Sequence, residues 1–191
     1  YPLSISKDEI NTLPLYQFEG SITLIESVDD ALRAIDDLKN ETILGFDTET
    51  RAAFKKGESY NVSLLQLATD THAYLFRLNK FKMMKELADI LANPDVVKTG
   101  VAIRDDVIGL QKLHAFTPNN FVDLAEAARE KKIVNFGLRA LTAIFIGKRL
   151  SKKSKISNWA RQELTPEQIS YAACDAVVGF EIYQKLCDFN D

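Results

Sequence analysis

The amino-acid sequence predicts an α/β fold in which helices flank a mixed central sheet of about five strands, the first three of them antiparallel. Strand-like patterns dominate the first half of the chain, whereas the second half mixes short strands with helical spacing of apolar residues. The length of 191 residues and the hydrophobic content of 46% suit one domain with a substantial core. We expect residues 1–20, which contain Pro2 and Pro14, to form an extended N-terminal arm and residues 21–191 to form this single domain.

The predicted strands are short apolar or alternating segments bounded by polar residues and turns. The second, third and fourth of them follow one another closely, so their simplest arrangement is an antiparallel meander. The polar segment 51–61, which contains Gly57, is predicted to be a loop inside this meander. The strands are predicted at residues 21–25, 42–48, 62–68, 73–78 and 96–99, with a short extended segment at residues 121–122.

The predicted helices repeat apolar residues every three to four positions. Ser27 is expected to cap a helix that continues to about residue 39, and Thr165 followed by Pro166 is expected to begin the last helix. That last helix extends to about residue 188. The other helices are predicted at residues 81–91, 104–113, 124–130 and 138–146.

Composition excludes several classes of protein. No apolar run approaches the roughly 18 residues of a membrane-spanning helix, and the first residues do not show the pattern of a signal peptide. Cys174 and Cys187 fall 13 residues apart in one predicted helix, too far for a disulfide, so we expect reduced thiols and a cytoplasmic protein. The net charge of -3 argues weakly against a general nucleic-acid coat protein.

Two carboxylates follow the second predicted strand. Asp47 and Glu49 are two residues apart, so in a strand both side chains point to the same face. They lie at the carboxyl end of the strand, where open α/β sheets often bind ligands. Solvated acids that merely end a strand are the alternative for this pair.

Two further clusters of polar residues begin or occupy predicted helices. Asp105 and Asp106 begin the helix at residue 104, where acids also favour the helix dipole, and we assign that role to Asp105. Tyr171 and Asp175 are four residues apart and therefore share one helix face, although a buried tyrosine beside a surface acid is common. Buried acids need neutralisation, and a pair of divalent cations that cuts a phosphodiester bond would provide it.

The three clusters, in their order along the chain, resemble the motifs of the DEDD 3'-5' exonucleases of the tyrosine subclass, which have a ribonuclease-H-like fold. Residues 46–49 resemble the first motif, residues 100–106 the second and residues 171–175 the third. Residues 63–67 and 157–159 match as well. The resemblance extends from about residue 22 to 186, and it is nearer to Werner-type exonuclease domains than to ribonuclease D.

This resemblance implies a hydrolase that removes nucleoside 5'-monophosphates from the 3' end of nucleic acid with two divalent cations, Mg²⁺ or Mn²⁺. Asp47, Glu49 and Asp175 would hold one cation. Asp47 would also bind the second cation, which Asp106 would support, and Tyr171 would orient the attacking water. Neither an organic cofactor nor a membrane is implied.

The substrate stays open between DNA, which the Werner-type resemblance favours, and RNA, as in ribonuclease D. Two other functions also remain alternatives: a non-catalytic nucleic-acid-binding module on the same fold, and a metal-binding domain that binds no nucleic acid. Sixteen residues follow Asp175, too few for a helicase or a second nucleic-acid-binding domain, so we expect partners to be separate chains.

Nucleic-acid contacts are predicted in the loop after Glu49 and in the basic segment 148–161, which contains six lysines and arginines. Each prediction has an ordinary alternative: a polar loop, a solvated basic loop, or a core position for the tryptophan. The predicted contacts are Thr48, Phe54, Lys55, Lys152, Lys155 and Trp159.

Overall fold

The computed structural model describes residues 1–189, which fold around one six-stranded sheet with seven helices. The strands are β1 (Ser21–Ile25), β2 (Ile43–Thr50), β3 (Val62–Ala68), β4 (His72–Arg77), β5 (Val97–Gly100) and β6 (Phe121–Asp123). The helices are α1 (Lys7–Thr12), α2 (Val28–Leu38), α3 (Lys85–Ala92), α4 (Arg104–Leu113), α5 (Leu124–Glu130), α6 (Leu138–Ile146) and α7 (Pro166–Asp188). The α/β prediction is therefore confirmed, with one strand more than the expected five.

The sheet has the strand order β1-β4-β3-β2-β5-β6. The antiparallel meander is confirmed for β2, β3 and β4, while β5 and β6 add in parallel on the β2 side. The prediction that the first three strands are antiparallel is wrong for β1, which pairs in parallel with β4. Because α2 separates β1 from the meander, no tight turn forces β1 to run antiparallel to a neighbour.

The N-terminal arm is not wholly extended, which corrects the prediction for residues 1–20. Helix α1 begins with a capping box in which Ser6 and Glu9 bond each other's backbone N–H groups, and Ile10 on this helix is buried. The arm also pairs with Arg149, whose N–H donates to the Pro14 carbonyl at 2.9 Å, while the Tyr16 N–H donates to the Arg149 carbonyl at 2.8 Å. The arm is therefore packed against the start of the basic segment.

Helices cover both faces of the sheet. Alternation along β3 shows the two layers: Leu64 packs with α5, α6 and α7, whereas Leu65 packs with α2, α3 and α4. Helix α7 lies directly on β2, because a Cβ atom at Gly45 would come within 1.9 Å of the Ala176 carbonyl oxygen. This close approach brings the middle of α7 to the strand that carries the first acidic cluster.

Predicted helix boundaries agree with the observed ones where a side-chain cap marks the start and differ most at α3, whose N-cap residue, Met84, makes no side-chain cap hydrogen bond. Ser27 and Thr165 cap α2 and α7 as expected, and Thr165 forms a capping box with Gln168. Helix α3 begins at Lys85, four residues later than predicted. Within residues 1–189, none of the helices combines the length and the apolarity that crossing a membrane requires.

Candidate active site

Three carboxylates meet where β2 ends beside α7. Asp47 and Glu49 project from the α7 side of β2, and Asp175 projects from the middle of α7. One oxygen atom from each of the three lies within 4.8 Å of the other two. The two-residue spacing in the strand and the Gly45 contact with α7 together produce this cluster.

The cluster is electrostatically unfavourable without a bound cation. Burial and the charges of Asp175 and Asp106 raise the pKa of Asp47 well above its ordinary value. Burial and the neighbouring carboxylates raise the pKa of Glu49 to about 10. Burial also raises the pKa of Asp175 to about 7, although the positive charge of Lys155 opposes the shift at both Glu49 and Asp175. These carboxyl groups favour protons or cations as partners.

Tyr171 lies one helical turn before Asp175 on the same face of α7, close enough for its hydroxyl to lower the pKa of that carboxyl. Burial, together with the nearby carboxylates, raises the pKa of the Tyr171 phenol above its ordinary value. The hydroxyl therefore keeps its proton at neutral pH and acts as a hydrogen-bond donor at the edge of the cluster.

Asp106 lies beside this cluster on the opposite side of β2. The Thr48 side chain alternates with those of its neighbours, points toward α4, and donates its hydroxyl hydrogen bond to the Asp106 carboxylate. Burial raises the pKa of Asp106, and this hydrogen bond lowers it. Asp106 and Thr48 border a separate cavity of about 450 Å³, so the structure holds the fourth acid next to the three-carboxylate cluster rather than within it.

A larger cavity of about 820 Å³ contains the cluster. Asp47, Glu49, Tyr171 and Asp175 form one part of its wall, and the basic segment forms another. Two of the predicted nucleic-acid contacts, Lys152 and Lys155, are in that basic part, and Thr48 borders this cavity as well as the smaller one.

Phe54 and Lys55 lie outside the cavity that contains the three carboxylates. They border a neighbouring groove of about 360 Å³, opposite Ile156, and the Phe54 side chain is 81% exposed. The groove adjoins the basic segment because Ile156 lines both depressions. An exposed aromatic ring beside a lysine is the kind of surface on which an unpaired base can stack.

The prediction that Trp159 stacks on a base is wrong. Its side chain is only 1% exposed and packs in the core, with its ring centroid 6.0 Å from that of Tyr171. The alternative of a core anchor is the observed one, and Trp159 supports the ring of Tyr171 from inside the protein. The indole belongs to the core cluster that also contains Leu164 and Ala173.

Arg139 also lines the cavity that contains the three carboxylates, and the sequence analysis did not predict it there. It is the basic residue in the first turn of an otherwise apolar helix, α6, and such a residue resembles an ordinary surface position in a periodicity pattern. Its interruption of the apolar segment 138–146 was the only available signal.

Comparison with known proteins agrees with this geometry. Residues 22–188 match the sequence model of a family described as 3'-5' exonuclease. The chain belongs to this 3'-5' exonuclease family. The match includes all four acids and the tyrosine described above, and it leaves the N-terminal arm outside.

Relatives of the family include longer proteins. The chain is 32% identical over 191 residues to the mouse (Mus musculus) bifunctional 3'-5' exonuclease/ATP-dependent helicase WRN. The alignment covers 95% of this chain but only 14% of the mouse protein. The crystal structure of the Aedes aegypti Nibbler EXO domain superposes with a TM-score of 0.81 and 26% identity over 91% of each chain. Escherichia coli RNase D shares the fold, with a TM-score of 0.79 and 21% identity over 87% of this chain and 44% of RNase D.

The family is metal-dependent, and the residues present fit a metal site. All the candidate ligands are carboxylate oxygens, which suit hard cations such as Mg²⁺ and Mn²⁺. The raised pKa values of Asp47, Glu49 and Asp175 indicate an excess of negative charge that cations would neutralise.

Proposed function

We propose that this protein hydrolyses phosphodiester bonds from the 3' end of nucleic acid, with DNA favoured, and releases nucleoside 5'-monophosphates with the help of two divalent cations, Mg²⁺ or Mn²⁺. The observation that carries the proposal is the convergence of Asp47, Glu49 and Asp175 in one cavity with Tyr171 and a basic wall. Membership of the 3'-5' exonuclease family over residues 22–188 supports the same reaction.

The carboxylates divide into two groups according to their position. Asp47, Glu49 and Asp175 would hold one cation, and Asp47 would share the second with Asp106 on the other side of Thr48. When bound, such cations supply positive charge to the attacking and leaving oxygens of the phosphodiester and make water a better nucleophile. Asp106 would bind the second cation directly if its hydrogen bond with Thr48 broke, or through a water molecule if that bond remained.

The remaining side chains bind and orient the reactants. The protonated hydroxyl of Tyr171, which lies beside Asp175, is placed to hold the attacking water by a hydrogen bond. Lys155 lies close enough to Glu49 and Asp175 to lower their pKa, so its charge is available to the phosphate that is cut. Lys152 contributes positive charge to the same wall.

The cavity suits an unpaired terminal nucleotide. Its wall combines the catalytic residues with the basic segment, and the groove with exposed Phe54 adjoins it. A single strand can follow this surface with its phosphates on the lysines and a base on the aromatic ring. We therefore expect single-stranded or frayed 3' ends to be cut faster than blunt duplex.

The deciding experiment incubates the protein and an oligonucleotide labelled at its 5' end with Mn²⁺. We expect a ladder that shortens from the 3' end and mononucleotides as products. A circular single strand of the same composition is the matched substrate control, and efficient cutting of the circle would disprove the requirement for an end. Asp175→Asn should lose most turnover and keep nucleic-acid binding; wild-type turnover in this variant would remove Asp175 from the site.

The choice between DNA and RNA is tested by digestion of matched strands under identical conditions. The resemblance to Werner-type domains favours DNA, whereas the fold shared with Escherichia coli RNase D keeps an RNA substrate as the second candidate. Faster release of nucleotides from the RNA strand would replace DNA with RNA in this proposal and leave the chemistry unchanged.

A further inference from the structure

Arg139 is a basic side chain of the catalytic cavity, and within residues 1–189 it has no side-chain hydrogen bond or ion pair. It is the second residue of α6, is half-buried, and lines the same cavity as Asp47 and Asp175. Its Nε atom is shielded from solvent and has no hydrogen-bond partner in the described part of the chain. Among residues 1–189, no carboxylate lies within ion-pair distance of its guanidinium group.

Such an arginine is poorly explained by the stability of the fold. A guanidinium group carries five N–H donors, and a shielded donor without an acceptor is unfavourable. At α2 and α3, three exposed basic residues form ion pairs with acids three or four positions away. Helix α6 has no acid in its first turn, and its N-cap residue, Gly137, provides no side-chain acceptor.

The surroundings of Arg139 favour an anion. Lys152, Lys153 and Lys155 line the same cavity, so the wall that faces the carboxylates carries only positive charge. The uncapped N–H groups at the start of α6 add partial positive charge near Arg139. A phosphodiester matches this environment, because its two free oxygens accept the parallel N–H donors of a guanidinium group.

Position distinguishes Arg139 from the residues that meet the bond to be cut. Arg139 borders the same cavity as Asp47, Glu49 and Asp175, yet none of these carboxylates lies within ion-pair distance of its guanidinium group. A strand that is cut at its 3' end continues only in the 5' direction, so a phosphate bound at Arg139, apart from the carboxylate cluster, belongs to the upstream strand.

We propose that Arg139 binds a phosphate of the substrate strand on the 5' side of the bond that is cut. The inference rests on the proposed exonuclease function and adds a specificity-determining contact: the enzyme recognises a strand that continues upstream, rather than the terminal nucleotide alone. Arg139 is a binding residue in this account, and it takes no part in proton transfer or cation binding.

The test combines a variant with a change in the substrate. Arg139→Gln should raise KM for a short thymidylate strand about tenfold to a hundredfold and leave kcat unchanged, since a charge-assisted hydrogen bond is lost. Neutral methylphosphonate linkages are then placed, one at a time, at the first three positions 5' of the cut bond. At the linkage that Arg139 contacts, a methylphosphonate should weaken binding by the wild-type protein by the same factor as the Arg139→Gln substitution does. The same linkage should not weaken binding by the Arg139→Gln variant any further.

Two matched variants control the experiment. Arg33→Gln removes the same charge from an arginine that is 73% exposed on α2, and it should leave KM unchanged. Arg139→Lys keeps the charge without the planar fork, so it should restore part of the affinity. The inference would be overturned if the loss of affinity from Arg139→Gln added to the loss from every neutral linkage. An unchanged KM in Arg139→Gln would overturn it as well.

A binding measurement separates this inference from the proposed reaction. Fluorescence anisotropy with a labelled thymidylate strand in Ca²⁺ reports affinity without turnover. Arg139→Gln should weaken binding and reduce the slope of log K against log salt by about 0.7. If the wild-type protein released no mononucleotides but Arg139→Gln still reduced the slope, the exonuclease proposal would fail and the phosphate contact would stand. An equal slope in the wild type and the variant would refute the contact itself.

Discussion

The Thr48 hydroxyl donates a hydrogen bond to the Asp106 carboxylate and thereby joins the end of β2 to the first turn of α4. The same residue donates its backbone N–H to Asp47 at 2.8 Å. Thr48 therefore contacts acids on both sides of the strand, and it separates the three-carboxylate cluster from the fourth acid. The alternation of side chains in β2 is the reason that one residue can serve both sides.

Replacement of this threonine tests the link. Thr48→Val keeps the shape and the strand preference but removes the donor, so Asp106 loses a charge-assisted hydrogen bond in a half-buried position. We expect the free energy of unfolding of the metal-free protein to fall by about 1–2 kcal/mol. Urea denaturation measures it, with Thr50→Val, an exposed position on the same strand, as the control. Equal losses in the two variants would show that the hydrogen bond contributes nothing specific.

Cation binding should be visible in thermal stability. At a concentration 100 times its Kd, Mn²⁺ stabilises the folded state by about 2.7 kcal/mol, which raises the Tm of a chain of this size by about 5–10 °C. Asp47→Asn should lose most of this gain while its metal-free Tm stays equal to or above that of the wild type, because repulsion in the cluster decreases. Differential scanning fluorimetry with and without chelator measures both effects.

The control for this experiment is Asp36→Asn, which alters an exposed acid on α2 that pairs with Lys39. It should keep the full gain with Mn²⁺. A gain in Asp47→Asn as large as in the wild type would place the cation elsewhere.

The raised pKa values predict how the stability of the metal-free protein depends on pH. The pKa of Glu49 is about 10 in the folded protein and 4.5 ordinarily, and that of Asp175 is about 7 against 3.8. Between these values the folded state binds more protons than the unfolded state, so the stability from these groups is full below their ordinary pKa values and is lost as pH rises. Tm in chelator should fall from pH 5 to pH 9.

Glu49→Gln isolates the contribution of one group, because its amide does not titrate. The Tm of this variant should fall less steeply over the same range, whereas Glu130→Gln at an exposed position should follow the wild type. Parallel curves for Glu49→Gln and the wild type would contradict the raised pKa of Glu49. Added Mn²⁺ should flatten the wild-type curve, since a bound cation favours the charged carboxylates.

The parts of the fold that the sequence predicts are those with strong local signals. The meander β2–β4 follows from three apolar segments that are adjacent in the sequence and separated by polar residues, and α7 from Thr165, Pro166 and a long helical period. The parallel position of β1 depends on how α2 packs across the sheet, which no local pattern records. Helix α1 was missed although Ser6 and Glu9 form a capping box, because its apolar repeat is short.

The candidate site divides in the same way. The spacing of Asp47 and Glu49 in a strand, and of Tyr171 and Asp175 in a helix, determines which side chains share a face. The location of Arg139 in the catalytic cavity and the burial of Trp159 arise from contacts between distant segments, α6 and the basic segment in one case and the core beneath α7 in the other. Such contacts leave no periodic trace in the sequence.

Lys98 provides a test of the sheet away from the catalytic cavity. Its side chain on β5 is fully buried, donates from Nζ to the Asn93 carbonyl at 2.8 Å, and lies 5.1 Å from the centre of the Phe121 ring. Burial lowers its pKa to about 8. One carbonyl and one ring compensate only part of the lost hydration of an ammonium group, so the charged form destabilises the fold.

Lys98→Met should therefore raise the free energy of unfolding at pH 7 by about 1–2 kcal/mol, because an apolar side chain of similar length replaces a buried charge. The Asn93 carbonyl keeps the Val96 N–H as a donor at 3.4 Å.

Between pH 8 and the ordinary pKa near 10.5, the unfolded wild type binds more protons than the folded one, so wild-type stability rises with pH relative to the variant. The gain in free energy of unfolding from Lys98→Met should therefore shrink across this pH window in urea titrations. Lys39→Met, at an exposed position, is the control. A gain that stayed constant or grew with pH would show that the charge of Lys98 does not destabilise the fold.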